Sequence, residues 1–143
     1  MRWILIVWVV WAGPVSAQGY STPERGTALR AALMDAIRPH AEWMLGTPVQ
    51  FVVRDLRVAG DVGFASLSPQ RPGGAEINLV QTPGYARGAL HAGADGNGAA
   101  MQVLYKRAGQ TWVAVHWVIG ATDVWWSYPP LCAEYRAVTP EVC

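Results

Sequence analysis

What is scarce in this 143-residue sequence limits its chemistry before any motif is read. It has two cysteines, Cys132 and Cys143, and three histidines, His40, His91 and His116, with no ligand spacing among them. Two thiols without a third and a fourth donor at local spacing do not make a zinc site, and no metal or cofactor is expected. Charge of either sign is in short supply, with 11 basic residues against 10 acidic ones. That balance offers neither the basic stripe that recruits nucleic acid nor the acidic block of a disordered tail. A G-x-S-x-G elbow is missing, so acyl transfer from serine has no evident actor. Internal repeats and low-complexity tracts are missing as well. The leading apolar run, Trp3 to Ala12, is half of the roughly 20 residues a helix needs to cross a bilayer core.

That run has another reading. "MRWILIVWVVWAGPVSAQ" carries one arginine, the apolar stretch, a helix-breaking Gly13-Pro14 and then Val15-Ser16-Ala17, with small residues at the positions a signal peptidase accepts. Residues 1–17 read as a signal peptide cut between Ala17 and Gln18, and the protein as exported, periplasmic or secreted, with no membrane span after cleavage. Residues 18–143 suit one domain with a single core. Arg2 accounts for the formal charge of +1, so the processed chain is formally neutral. In an oxidising compartment Cys132 and Cys143 are expected to pair and close the C-terminal tail, stabilising it by roughly 3 kcal/mol at most.

The body opens with "STPERGTALRAALMDAIRPHAEWMLG". Ser21 or Thr22 is the expected N-cap, Pro23 the first helical residue and Gly46 the left-handed cap. Leu29, Leu33, Ala36 or Ile37, Ala41 and Met44 form one apolar stripe. Pro39 is expected to kink or split the helix, because its ring removes a donor and collides with the preceding turn. The pattern then changes to period two. Val49, Phe51 and Val53 share one parity and Leu56 and Val58 the other, which implies a β-bulge near Arg54-Asp55. Ala59-Gly60-Asp61 supplies a hairpin turn, and the return strand runs from Val62 to about Leu67. Residues 70–98 are rich in glycine and read as a long loop with a short extended piece at Glu76 to Val80. A second hairpin follows, "AAMQVLYKR" and "TWVAVHWVIG", whose last strand is apolar at both parities and is therefore expected to be central or covered on both faces.

These elements give an α+β domain, an N-terminal helix packed on a curved four-stranded antiparallel sheet made of two hairpins. The order resembles the cystatin fold and the nuclear transport factor 2-like cone folds. The chain also resembles small exported bacterial proteins of unassigned function, on Ile37-Arg38-Pro39 to Glu42, Phe51-Val52-Val53, Ser68 to Gly74 and Trp117 to Trp125. That likeness implies a fold and an exported location and hands down no catalytic residue.

Function rests on the stretch "WVIGATDVWWSYPPLC", Trp117 to Cys132. Trp125, Trp126 and Tyr128 are the candidate binding residues, since exposed aromatics beside proline make a contact patch of low conformational entropy. Asp123 reads as a turn cap, or as a general base if the tryptophans enclose it and raise its pKa. His116 is the other weak catalytic candidate. The cystatin likeness adds a wedge of Gly19, the Leu56 to Gly60 turn and Trp112, with Leu56 where such inhibitors carry glutamine. Binding of an envelope protein or peptide is the leading expectation, ahead of an isomerase-like or hydrolase-like enzyme and of a protease inhibitor. "GADGNG", Gly93 to Gly98, lacks the ligands of a phosphate or calcium loop and reads as a turn.

Overall fold

Helix α1 spans Ala28–Leu45 in the computed structural model, which describes residues 19–91 and 98–143. The expected signal segment and most of the "GADGNG" turn lie outside the described residues. The helix starts later than the Ser-Thr-Pro signal suggests. Thr27 is the N-cap and accepts from the Arg30 N–H, while Ser21 is drawn into a β-bridge with Val58. Pro39 does not split α1. The carbonyl it leaves without a donor belongs to Asp35, and Asp35, Pro39 and His40 are all exposed, so water can satisfy that group. The expected stripe is buried at Leu33, Ile37, Ala41 and Met44, and Gly46 ends the helix at φ 79°.

Four antiparallel strands follow in the spatial order β1-β2-β3-β4. They are β1 (Gln50–Ala59), β2 (Val62–Gln70), β3 (Met101–Ala108) and β4 (Thr111–Ile119). The domain is α+β, a helix packed against an open four-stranded antiparallel sheet. The β1–β2 register slips between Val53 and Asp55, leaving Arg54 as the extra residue where the phase change placed a bulge. Gly60 and Gly109, both at positive φ, turn the two hairpins.

The expectation for β4 needs correction, because it is an edge strand. Its pairing with β3 slips between Leu104 and Tyr105, making Val115 the extra residue. Trp112 and Ala114 face the core before that bulge, and Trp117 and Ile119 after it. The apolar residues at both parities therefore belong to one face whose phase shifts, and Val113, Val115 and Val118 are exposed.

Residues 71–91 are more structured than a loop. They hold a 3₁₀ turn at Leu79–Gln81 in place of the expected extended piece, then the short helix α2 (Pro83–Ala86). Ile77 and Leu90 enter the main core. Arg71 donates to the carbonyls of Leu45, Gly46 and Pro48, fastening the segment to the end of α1. Gly84 lies so close to α1 that a Cβ there would sit 2.6 Å from the Met44 carbonyl oxygen. The face of the sheet opposite α1 is covered in part by the C-terminal segment, which ends in helix α3 (Pro129–Tyr135) and the tail.

Candidate functional site

The segment after β4 is positioned by local rules first. Gly120, at φ 70°, bends the chain while its N–H bonds the Ala100 carbonyl. Trp125–Ser127 form a 3₁₀ turn in which both the N–H and the hydroxyl of Ser127 bond the Val124 carbonyl. Pro129 and Pro130 open α3, where a missing N–H costs nothing.

Tertiary contacts then hold this segment against the sheet. Phe64 of β2 and Leu104 of β3 form a second core with Tyr135 and Val138, around which Trp125, Trp126 and Leu131 pack. The Trp126 ring lies 5.5 Å from that of Phe64, and Trp125 meets Trp126 edge to face at 5.7 Å. Cys132 and Cys143 form the expected disulfide. Arg57 acts as a clamp from β1, donating to the Val138 carbonyl at 3.0 Å and pairing with Glu141 at 2.7 Å and Asp55 at 2.6 Å. Its guanidinium also lies over Tyr20 and Phe64. Lys106 of β3 pairs with Glu134 of α3.

Electrostatics agree with that clamp. Burial alone would lower the Arg57 pKa, but the bonds to Asp55 and Glu141 outweigh it and raise it. Burial would raise the Glu141 carboxyl, yet its own backbone N–H and Arg57 hold it below the usual value. Burial, with the Glu134 charge adding, pushes the Tyr135 phenol up to about 12.

The sequence candidates separate in space. Tyr128 is 62% exposed, and with Val124, Pro129 and Pro130 it forms an exposed ledge on the rim of the segment. Trp125 and Trp126 are half-buried, and their indole N–H groups are enclosed without a hydrogen-bond partner, as is the Gln102 side-chain oxygen. Trp112, at 9% exposure, belongs to the main core. Asp61 and Arg107 tie the two hairpin ends together, so this end of the sheet presents charge where the inhibitor wedge calls for a tryptophan.

Asp123 is exposed and is not enclosed by the tryptophans. His116 is also exposed, on the outer side of β4, with its ring edge-on to Tyr135 at 6.3 Å. Among the described residues no hydrogen bond or ion pair joins these two side chains, and no group of three or more His, Cys, Asp or Glu is placed to hold a metal. The space between α1 and the sheet is filled by side chains that include Ile37, Met101, Tyr105 and Trp112.

One exposed aromatic escaped the sequence reading. Trp43 on α1 is 67% exposed, with the Arg87 guanidinium 4.4 Å from its ring centre and bonded to its carbonyl. The signal was present, because position 43 falls off the apolar stripe that places Ala41 and Met44 in the core. One turn earlier, His40 stacks on Trp117 at 5.4 Å.

No helix among the described residues is long and apolar enough to cross a membrane. No family model, no curated protein and no solved structure matches this chain.

Proposed function

We propose that this chain is an exported, periplasmic binding protein that captures an envelope protein or peptide through its C-terminal aromatic segment and does not turn over a substrate. The observation that carries the reading is the Val124–Tyr128–Pro129–Pro130 ledge, exposed at its surface and fastened beneath by Trp126 on Phe64, the disulfide and the Arg57 clamp. Binding surfaces gain most from large, stiff side chains that lose little freedom on docking. Tyrosine and proline meet that condition here, and the two tryptophans serve as the base of the ledge. The disulfide is compatible with the exported location.

The test is site-specific photo-crosslinking in the cell. A benzophenone side chain replaces Tyr128 in one strain and the exposed Glu24, away from the ledge, in another. A single periplasmic adduct from position 128, absent from position 24 and lost when Val124→Ala and Pro130→Ala are added, is the expected result. Equal labelling from both positions, or a chain that fractionates with the cytoplasm, would overturn the reading.

A further inference from the structure

At the start of β1 a groove of about 390 Å³ is lined by residues 50–53 of that strand, by Gln70 of β2, by Arg30 and Met34 of α1 and by Arg25 and Gly26 just before the helix. Its floor includes Phe51 and Val53, its middle wall is Met34, and its ionisable lining is Arg25 and Arg30, with no carboxylate. Neither arginine forms an ion pair among the described residues. Arg30 donates to the Pro23 carbonyl at 3.0 Å, which fixes the side chain within the groove wall.

The edge of β1 facing away from β2 already accepts a strand at one end. Ser21 and Val58 exchange two backbone hydrogen bonds, 2.8 Å and 2.9 Å long, so the N–H and C=O of Val58 point away from β2. Backbone groups alternate in direction along a strand. The outward pair therefore recurs at Leu56 and, once the extra residue Arg54 has shifted the phase, at Val53 and Phe51. Among the described residues only Ser21 pairs with this edge. An unpaired edge beside a groove is the arrangement used when an extended peptide adds a strand to a sheet, with backbone bonds for affinity and alternate side chains for selection.

We infer that the β1 edge binds an extended acidic peptide, which pairs with Phe51 and Val53 through its backbone and with Arg25 and Arg30 through carboxylate side chains. Charge complementarity selects this occupant: two arginines that form no ion pair among the described residues line a groove whose lining holds no acid. Arginine suits the task, because its planar fork meets a carboxylate through two parallel bonds. This surface is separate from the Tyr128 ledge and does not depend on it.

The probe is a fluorescein-labelled heptapeptide alternating threonine and glutamate, titrated by anisotropy at low salt. Three control peptides carry lysine for glutamate, N-methyl groups on alternate amides, or a scrambled order that breaks the alternation. The expected result is binding at least tenfold tighter than each control, a tenfold or greater loss in Arg25→Glu and Arg30→Gln, and slowed amide exchange at Phe51 and Val53. Tyr128→Ala should leave this affinity unchanged, which separates the groove from the ledge. Circular dichroism checks the fold of each variant, and Arg25 is exposed enough for its replacement to spare the core. If the N-methylated peptide binds as tightly as its parent, attraction of a polyanion alone explains the affinity and edge pairing is wrong. If the glutamate peptide fails to bind the folded wild-type chain, the proposal falls altogether.

Discussion

Tyr105 shows how a single group can work against the core it occupies. The ring is fully buried in the layer between α1 and the sheet, and its hydroxyl has no hydrogen-bond partner. Burial pushes its pKa upward for the same reason, since neither the polar nor the charged form finds a counterpart there. Removing an unpaired polar atom while keeping the ring should cost nothing. Tyr105→Phe is expected to keep the fold and raise stability by up to about 1 kcal/mol, read as a higher urea midpoint at unchanged slope. A loss of more than that would mean the hydroxyl is held by an ordered bond. Gly84 teaches the converse at the same scale, because it is the absence of a side chain there that lets α2 approach the Met44 carbonyl. Composition marks such a glycine as a loop former, whereas its contacts make it a packing residue.

At the scale of elements, α1 and β4 both depart from their simplest reading, and in both the reason is a neighbour. Pro39 stays inside α1 because the apolar stripe on either side of it is anchored in one core, and the lost bond falls on the exposed side. The cost remains in the helix. Pro39→Ala restores a donor for the Asp35 carbonyl and should stabilise the protein by roughly 1 to 2 kcal/mol after the added freedom of the unfolded chain is subtracted. The melting temperature is the readout, and an unchanged value would show that the helix had already recovered the bond in another way. In β4 the bulge at Val115 was hidden in the sequence by valines and tryptophans that suit either face. The bulge in β1 was legible because polar residues, Arg54 and Asp55, interrupt an otherwise clean alternation. A register slip can be read from sequence only where the two faces differ in polarity.

For the whole molecule, the C-terminal segment and the sheet are two layers joined by the second core, by the Lys106–Glu134 pair and by the Arg57 clamp. Glu141 is held below its usual 4.5 in the folded state, so its contribution is present above that value and is lost as the pH falls through the lower, folded one. Arg57 stays charged throughout that range, and the acid-sensitive partner is the carboxylate. Acidification below about pH 4.5 is therefore expected to loosen the tail from β1. Protection of the Val138 and Thr139 amides, taken against the intrinsic exchange rate at each pH, should fall in acid in the wild type, whereas Glu141→Gln should show lower protection already at neutral pH and little further change. Parallel pH profiles in the two proteins would remove Glu141 from the clamp.

The same division separates what the chain dictates locally from what it settles only when folded. The apolar period of α1, the change to period two, the turns at Gly60 and Gly109 and the pairing of two late cysteines follow from neighbours within a few residues, and the sequence alone determined them. The position of the N-cap did not, since Ser21 is claimed by Val58, a partner 37 residues away. The fates of the aromatic residues were tertiary too. Trp112 went to the core, Trp125 and Trp126 to the underside of a ledge, and Tyr128 and Trp43 to the surface, though all five are equally apolar to a sequence scan. Exposure depends on which layer lies above a ring, and the covering layer comes from α1, from residues 71–91 or from the tail itself. The basic groove at the start of β1 likewise exists only because the fold sets a helix face carrying Arg30 and Met34 beside a strand some twenty residues farther along the chain.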